Sequence, residues 1–320
     1  MMLDIIMPHY TEDWSIVKPY FDMLSCQKCA DLSQIRVRIV HDGVKAFPKS
    51  YFSKMPFQVL QDCLPHGGVS AARNHGIEKA DAKWITFCDC DDMFNSPYAM
   101  KFIFEVLGTD DYDMLWNEFV MENKETDGSM NLQVNRKFNM VWTHNKYYRL
   151  DFIREHGLRF NESLYMSEDS AFNAIVNLEI AHERIGHIKS PMPLYIWTFR
   201  EGSVTLDKSR LLLNMEGHFD RNVYVYNEFV RRKYKDANLM AGRTLTDAYV
   251  NLTRKELPEG WEHFRQRVRE WAIENRTVLR SLTNDEMQRV LKASKTESEA
   301  ARFLNPDRPG LVEWYKALVK

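Results

Sequence analysis

Several things are scarce in this 320-residue chain, and each scarcity removes a class of protein. Cysteine occurs five times, an odd number that suggests no disulfide framework and fits a reducing cytoplasm. No stretch approaches the roughly 18 apolar residues that span a bilayer. The opening "MMLDIIMPHY" lacks a basic stretch, and its apolar run is too short for a signal peptide. Net charge is also small, at −2, which argues against attachment to nucleic acid or membrane by overall charge. The expected setting is cytoplasmic, with peripheral membrane attachment left open. There is neither an internal repeat nor a low-complexity tract.

What is present resembles an ordinary soluble enzyme: 44% hydrophobic, 28% charged and 12% aromatic residues. The length suits one large domain plus a smaller one, or two domains. Charge is uneven: residues 207–320 hold 22 Lys+Arg against 17 Asp+Glu, or +5, which leaves −7 for 1–206.

The first half alternates between strand and helix patterns. "LDIIMP" (3–8) is a short apolar run stopped by proline, and "DWSIVKPYFDMLSC" (13–26) has helical spacing. "IRVRIVHDG" (35–43) and "FQVLQ" (57–61) read as strands; "GGVSAARNHGIEKA" (67–80) reads as a helix started by glycine. "KWITFCDCDD" (83–92) predicts a strand, and "SPYAMKFIFEVL" (96–107) a helix with a serine cap and early proline. Such alternation predicts a mostly parallel α/β sheet, whose ligands bind beyond the carboxyl ends of the strands. Asp42, Asp89, Asp91 and Asp92 would then share one crevice. From 113 the pattern turns to antiparallel strands, a helix around 146–155 and another over 167–180. After 207 it is helix upon helix, with breaks near 235, 258–260, 283 and 305–310.

The densest chemistry is "FCDCDDMF" (87–94), three carboxylates and two thiols in five positions. A zinc site is one reading, a hard cation held by carboxylates a second, and a solvated polar turn a third. Zinc fits poorly, because strand alternation would send Cys88 and Cys90 to the other face from Asp89 and Asp91, and no Cys or His pair is near. The thiols are better read as core. Two acids on one face suit Mg²⁺ or Mn²⁺ held jointly with a phosphate. Cys26-x-x-Cys29 lies at a helix end without a partner pair and is also read as packing. Trp142, Tyr165 and Trp197 are sugar-stacking candidates that are more often core.

Six segments, taken in order, carry a resemblance. "IIMPHY", "IVHDG", "GGVSAARNHGIEKADAKWITFCDCDDMF", "NKYYRLDFI", "LRFNESLYMSEDSAF" and "YIWTFREGSVT" are together similar to the motifs of family 2 glycosyltransferases of GT-A fold, over about 1–206. The resemblance implies a Rossmann-like, mixed but mostly parallel sheet flanked by helices; the all-helical pattern of 207–320 lies outside it. It implies an inverting hexosyl- or pentosyltransferase using Mn²⁺ or Mg²⁺ to move a sugar from a UDP-sugar to a hydroxyl acceptor. Asp91 would ligate the metal, and Asp89 the metal or the ribose. Pro8, Tyr10, Asp42 and Arg73 would line the uridine pocket. Arg200 and Ser203 would reach the diphosphate, and Asp169 of the Glu168–Asp169 pair would be the general base. His41 departs from the pattern, which has Asp there. The chemistry is coherent in itself: charge developing on a leaving diphosphate needs a cation, and an attacking hydroxyl needs a carboxylate to take its proton.

Two other readings compete. Haloacid-dehalogenase-like phosphatases also end a strand in Asp-x-Asp, but on an early strand. A silent nucleotide-sugar-binding protein on the same scaffold is the other, against which Asp91 and Asp169 both survive. Glycan or other polymer acceptors are the default; a hydroxymethylated base in phage-type DNA is motivated only by the +5 balance and the lack of any membrane element. The 207–320 helices are expected to shape the acceptor side or a homo-oligomer contact.

Overall fold

The computed structural model describes residues 1–125, 127–200, 210–293 and 304–320. The chain divides into two compact units, Met1–Ser163 with Glu168–Leu206, and Leu164–Ser167 with Asp207–Lys320.

The first unit is built on a seven-stranded sheet. In chain order its described strands are β1 (Leu3–His9), β2 (Ile35–Asp42), β3 (Gln58–Leu64), β4 (Trp84–Phe87), β5 (Met93–Phe94), β6 (Met114–Trp116), β7 (Phe119–Lys124), β8 (Met130–Asn135), β9 (Lys146–Arg149), β10 (Ile185–His187) and β11 (Tyr195–Trp197). The large sheet runs β10-β6-β9-β4-β1-β2-β3, and a four-stranded sheet runs β5-β11-β7-β8. Within the large sheet β9 alone is antiparallel to both its neighbours; β3, β2, β1 and β4 are parallel. This is the GT-A architecture that the motifs imply. Helices α1 (Trp14–Ser25), α2 (Val69–Lys79), α3 (Ala99–Leu107), α4 (Leu150–Glu155) and α5 (Glu168–Glu179) flank it.

The central strands are apolar on both faces, as a covered parallel sheet requires: Ile5, Ile6 and Met7 of β1 and Val37, Ile39 and Val40 of β2 are buried. Asp13 caps α1 by accepting from the Ser15 N–H at 2.9 Å. Helix α2 lies against β1 so closely that a Cβ on Gly76 would sit 2.3 Å from Ile6 Cγ2. At the amino ends of the strands, Asp4 takes a two-pronged bond from Arg36 (2.7 Å each) and two more from the Asp81 and Ala82 N–H groups. That carboxylate is fully buried and fully satisfied.

Three elements differ from expectation. The strand predicted over 83–92 stops at Phe87, and a turn comes next in which the Asp92 N–H reaches the Asp89 carbonyl at 3.2 Å. Alternation therefore does not orient the cluster; turn geometry does. The helix expected around 146–155 begins only at Leu150, because Lys146–Arg149 is taken up as β9, paired with β4 and β6. Helix α3 starts at Ala99, while the Ser96 hydroxyl accepts from the Tyr98 N–H at 3.1 Å.

The second unit is helical, comprising Leu211–Arg231, Ala237–Leu252, Trp261–Glu274, Arg276–Ser281, Asn284–Ala293 and Leu311–Leu318. Its core includes Met215, Phe219, Leu245, Phe264, Val268 and Trp271, with Phe219 meeting Phe264 and Trp271 edge-on. Among the described residues no helix is long and apolar enough to cross a membrane.

Candidate active site

Beyond the carboxyl ends of β1, β2 and β4 lies a cavity of about 310 Å³. Pro8 and His9 border it from the end of β1, Tyr10 and Glu12 from the residues after it, and Asp42 from the end of β2. Asp89, Cys90 and Asp91 border it from the turn after β4, and Val69 and Arg73 from α2. Glu168 comes from the start of α5; Trp197, Thr198 and Arg200 come from β11 and the residues after it.

Two arginines hold the acids. Arg73 is buried and bonds Glu168 at 2.9 Å, Asp169 at 2.5 Å and Asp89 at 3.1 Å, with its guanidinium 5.3 Å from the Phe160 ring centre. Next to it, Asn74 ties α2 to the segment before α5 by bonds to Phe160 and Glu162. Arg200 bonds Asp91 at 2.8 Å and Glu12 at 3.1 Å. The two cations thus gather five carboxylates from three other chain segments.

The Glu168–Asp169 pair splits in protonation. Burial, and then the neighbouring Asp169, push the Glu168 carboxyl up to about 7, against the pull of Arg73. Burial acts on Asp169 too, but Arg73 and the Thr143 N–H and hydroxyl (3.1 and 2.8 Å) outweigh it and hold the carboxyl below its ordinary value. Asp169 sits one residue behind Glu168 and is not among the cavity-lining residues. Beneath them, burial drives Lys146 down to about 7 and His144 to about 3. The Lys146 ammonium donates to the Trp142 carbonyl at 2.6 Å.

Most of the residues singled out in the sequence come together here. Pro8, Tyr10, Asp42, Arg73, Asp89, Asp91, Glu168 and Arg200 all border this cavity. Asp42 has its oxygens engaged by the Gly67 and Gly68 N–H groups (2.6 and 3.0 Å) and by His66 (2.9 Å). Asp92 is a correction: it is not in the crevice but buried, accepting from the Tyr195 hydroxyl at 2.6 Å and the Thr198 N–H at 2.9 Å. Burial raises its carboxyl well above the usual range. Cys88 is buried in the core as expected; Cys90 is buried but also borders the cavity. Ser203 lies outside the described residues. His9 and Glu12 are not singled out by the sequence; their only signal is position, one and four residues past Pro8, whereas Trp197, a stacking candidate, does border the cavity.

The acid pair Asp89 and Asp91 offers oxygen donors alone, and the Asp89 side chain is 41% exposed toward the cavity. Among the described residues there is no cluster of three or more His, Cys, Asp or Glu arranged to hold a metal. Two carboxylates with room for phosphate and water fit a magnesium-like ion, which rarely takes an all-protein cage; they do not fit zinc.

Residues 4–168 match the family model described as glycosyl transferase family 2. A relative, the uncharacterized glycosyltransferase EpsJ of Bacillus subtilis (strain 168), is 23% identical over 286 residues, covering 80% of this chain and 76% of that protein. Among solved structures, S. aureus TarS is 16% identical with a TM-score of 0.57; the alignment covers 92% of this chain, which spans only 55% of that one. TarS 1–349 in complex with UDP-GlcNAc is 17% identical, with a TM-score of 0.55 and coverage of 97% and 98%. The structural likeness concerns the fold, and the family match covers the cavity-lining residues from Pro8 to Glu168, while Trp197, Thr198 and Arg200 lie beyond it. This chain belongs to glycosyl transferase family 2.

Proposed function

We propose that the protein is an inverting, metal-dependent transferase that moves a sugar from a UDP-sugar to a hydroxyl acceptor. The observation that carries this reading is the cavity in which Asp89, Asp91, Arg73, Arg200 and Glu168 meet. A nucleoside diphosphate leaving group needs positive charge along its path, and an acceptor hydroxyl needs a carboxylate. TarS, which shares the fold, has been solved with UDP and with UDP-GlcNAc, which supports a uridine donor.

Asp89 and Asp91 would hold Mg²⁺ or Mn²⁺, and such an ion supplies charge to neutralise a leaving diphosphate. Arg200, released from Asp91, binds phosphate oxygens. Pro8 and Tyr10 border the nucleoside end, and Asp42 keeps the Gly67–Gly68 backbone in place before α2. Asp169, kept ionised by Arg73 and Thr143, is the proposed base for the acceptor hydroxyl. Glu168 supports a second reading of that step, since it borders the cavity and sits at about 7, near the working pH of a good base. Residues 1–206 form the catalytic domain in this reading, and the helices of 207–320 serve the acceptor or a contact between copies.

The test is UDP-sugar turnover with and without Mn²⁺, in the parent protein and in Asp169→Asn and Glu168→Gln. Turnover that requires the metal supports the reading; no metal-dependent turnover with any common UDP-sugar overturns it. If Asp169 is the base, its variant loses about 10²-fold or more in rate, and the parent shows no rise in kcat near pH 7. If Glu168 is the base, Glu168→Gln takes the loss, and kcat in the parent climbs through pH 7.

A further inference from the structure

His41 stands where the family pattern has an aspartate, and His9 comes directly after Pro8 on the neighbouring strand. The parallel register of β1 and β2 places the two directly opposite one another. Their Nδ1 atoms are 2.9 Å apart, with ring planes at 80°. His41 is fully buried and His9 nearly so, yet His9 borders the cavity.

Counting protons along this chain of bonds gives an unexpected total. The Gln61 amide is oriented by the Phe47 backbone: its Oε1 accepts from the Phe47 N–H at 2.9 Å, and its Nε2 donates to the Phe47 carbonyl at 3.1 Å. The same Oε1 lies 2.9 Å from His41 Nε2, so that nitrogen must carry a proton. At the other end His9 Nε2 lies 2.8 Å from the Glu12 carbonyl, which only accepts, so it too must carry one. The short Nδ1–Nδ1 contact needs a third. Two neutral imidazoles supply only two.

We propose that His9 and His41 share one proton beyond those of two neutral rings, and that this charged pair strengthens binding of a nucleoside diphosphate sugar at the adjacent end of the cavity. The second clause rests on the donor reading above; the first does not. The titratable and charged groups on the flanking elements are Tyr10 and Glu12 after β1, Arg38 and Asp42 on β2, Lys45 and Lys49 in the segment that carries Phe47, Asp62 and Cys63 on β3, His66 after β3, and Arg73 and His75 on α2. The acids among them already have partners. Glu12 is paired with Arg200, Asp62 with Arg38 at 2.6 Å, and Asp42 with two backbone N–H groups and His66. The charge of the pair is therefore left for a ligand to use. Of the two rings, His9 is the one that borders the cavity.

Losing the third proton sets two lone pairs against each other at one of the three contacts: between the rings, between His9 and the Glu12 carbonyl, or between His41 and Gln61 Oε1. In the first two cases the segment from Pro8 to Glu12, which borders the cavity, loses one of its ties. By linkage, a ligand that prefers the protonated pair raises the pair's pKa, and its affinity falls tenfold for each pH unit between the free and bound values.

The test uses the full chain and UDP-GlcNAc, whose diphosphate diester does not titrate between pH 5 and 9. Long-range ¹H–¹⁵N spectra of the histidine rings across that range should show three protonated nitrogens on the pair at low pH and two at high pH. UDP-GlcNAc should move that transition up by about one pH unit, and calorimetry should show affinity falling about tenfold across the same window. In His41→Asn the fall should vanish. Two neutral rings throughout, or affinity that does not change with pH, would overturn the proposal. Three ring protons with no UDP-GlcNAc binding at any pH would overturn the donor reading and leave the shared proton standing.

Discussion

Replacing Arg73 by methionine keeps an apolar stem but deletes the charge that Glu168, Asp169 and Asp89 share. A unit charge pair at about 4 Å is worth roughly 4 kcal/mol at an effective dielectric of about 20. Against this, the variant recovers the cost of burying the guanidinium. Asp89 is 41% exposed and turns to solvent, so its share is small. Leaving Glu168 and Asp169 buried without a cation should then cost about 3–5 kcal/mol. For a unit of this size that is a fall of roughly 6–20 °C in Tm. The effect depends on pH, because each acid escapes by taking a proton. Asp169 has a depressed folded value, so its contribution is present at neutral pH and lost as pH falls through that value. Glu168 is raised from 4.5 to about 7; its contribution is full below 4.5 and is lost as pH rises through about 7. Without Arg73 both values move up, so the variant should lie much closer to the parent at pH 5 than at pH 8. Scanning calorimetry of both proteins at the two pH values measures this. Equal gaps at both pH values, or no gap at pH 8, would refute the idea that Arg73 is the shared counter-ion of the acid pair.

Gly76→Val should cost about 1–3 kcal/mol by overpacking against Ile6, and trimming Ile6 to alanine in the same chain should recover part of it in urea melts. Asp4→Asn, which leaves Arg36 buried beside a neutral amide, should lower stability by about 3 kcal/mol without changing UDP-sugar affinity. Asp91→Asn should abolish metal-stimulated turnover and free Arg200 from one of its two partners, while the melting temperature changes by only a few degrees; unchanged metal stimulation would remove Asp91 from the cation site.

The order of strands and helices was readable because its signals are local: apolar runs, the Asp13 cap, the glycines before α2. The convergence of Asp42, Asp89 and Asp91 was readable as well, since parallel strands deliver their carboxyl ends to one edge; Pro8, Tyr10 and Arg73 joined them only through the motifs of the resemblance. What the sequence could not convey depends on partners far along the chain. Asp92 looks like its neighbours until Tyr195, 103 residues away, claims it. "NKYYR" has no helix-breaking residue before it, and only pairing with β4 and β6 makes it a strand. Arg73 reads as a nucleotide contact in a motif, whereas its bonds to residues 95 and 96 positions later are invisible there. His9 and His41 are 32 residues apart, and it takes the strand register to turn a substitution at 41 into a coupled pair.

The two ends of the sheet treat charge in opposite ways. Asp4 has every acceptor site filled from within the chain, so no solute can compete for it without unfolding the strands. At the other end Asp89 and Asp91 are balanced by arginines from different segments, and each bond there can be exchanged singly for one to an incoming ion. A ligand that brings both phosphate and a cation can then swap partners like for like: anion to arginine, cation to aspartate. The site need not create or discard net charge to fill, so the reorganisation it demands is one of pairing rather than of solvation. The same division tells an engineer where to intervene, since the Asp4 end can be reinforced for stability while the exchangeable end is left to select its ligand.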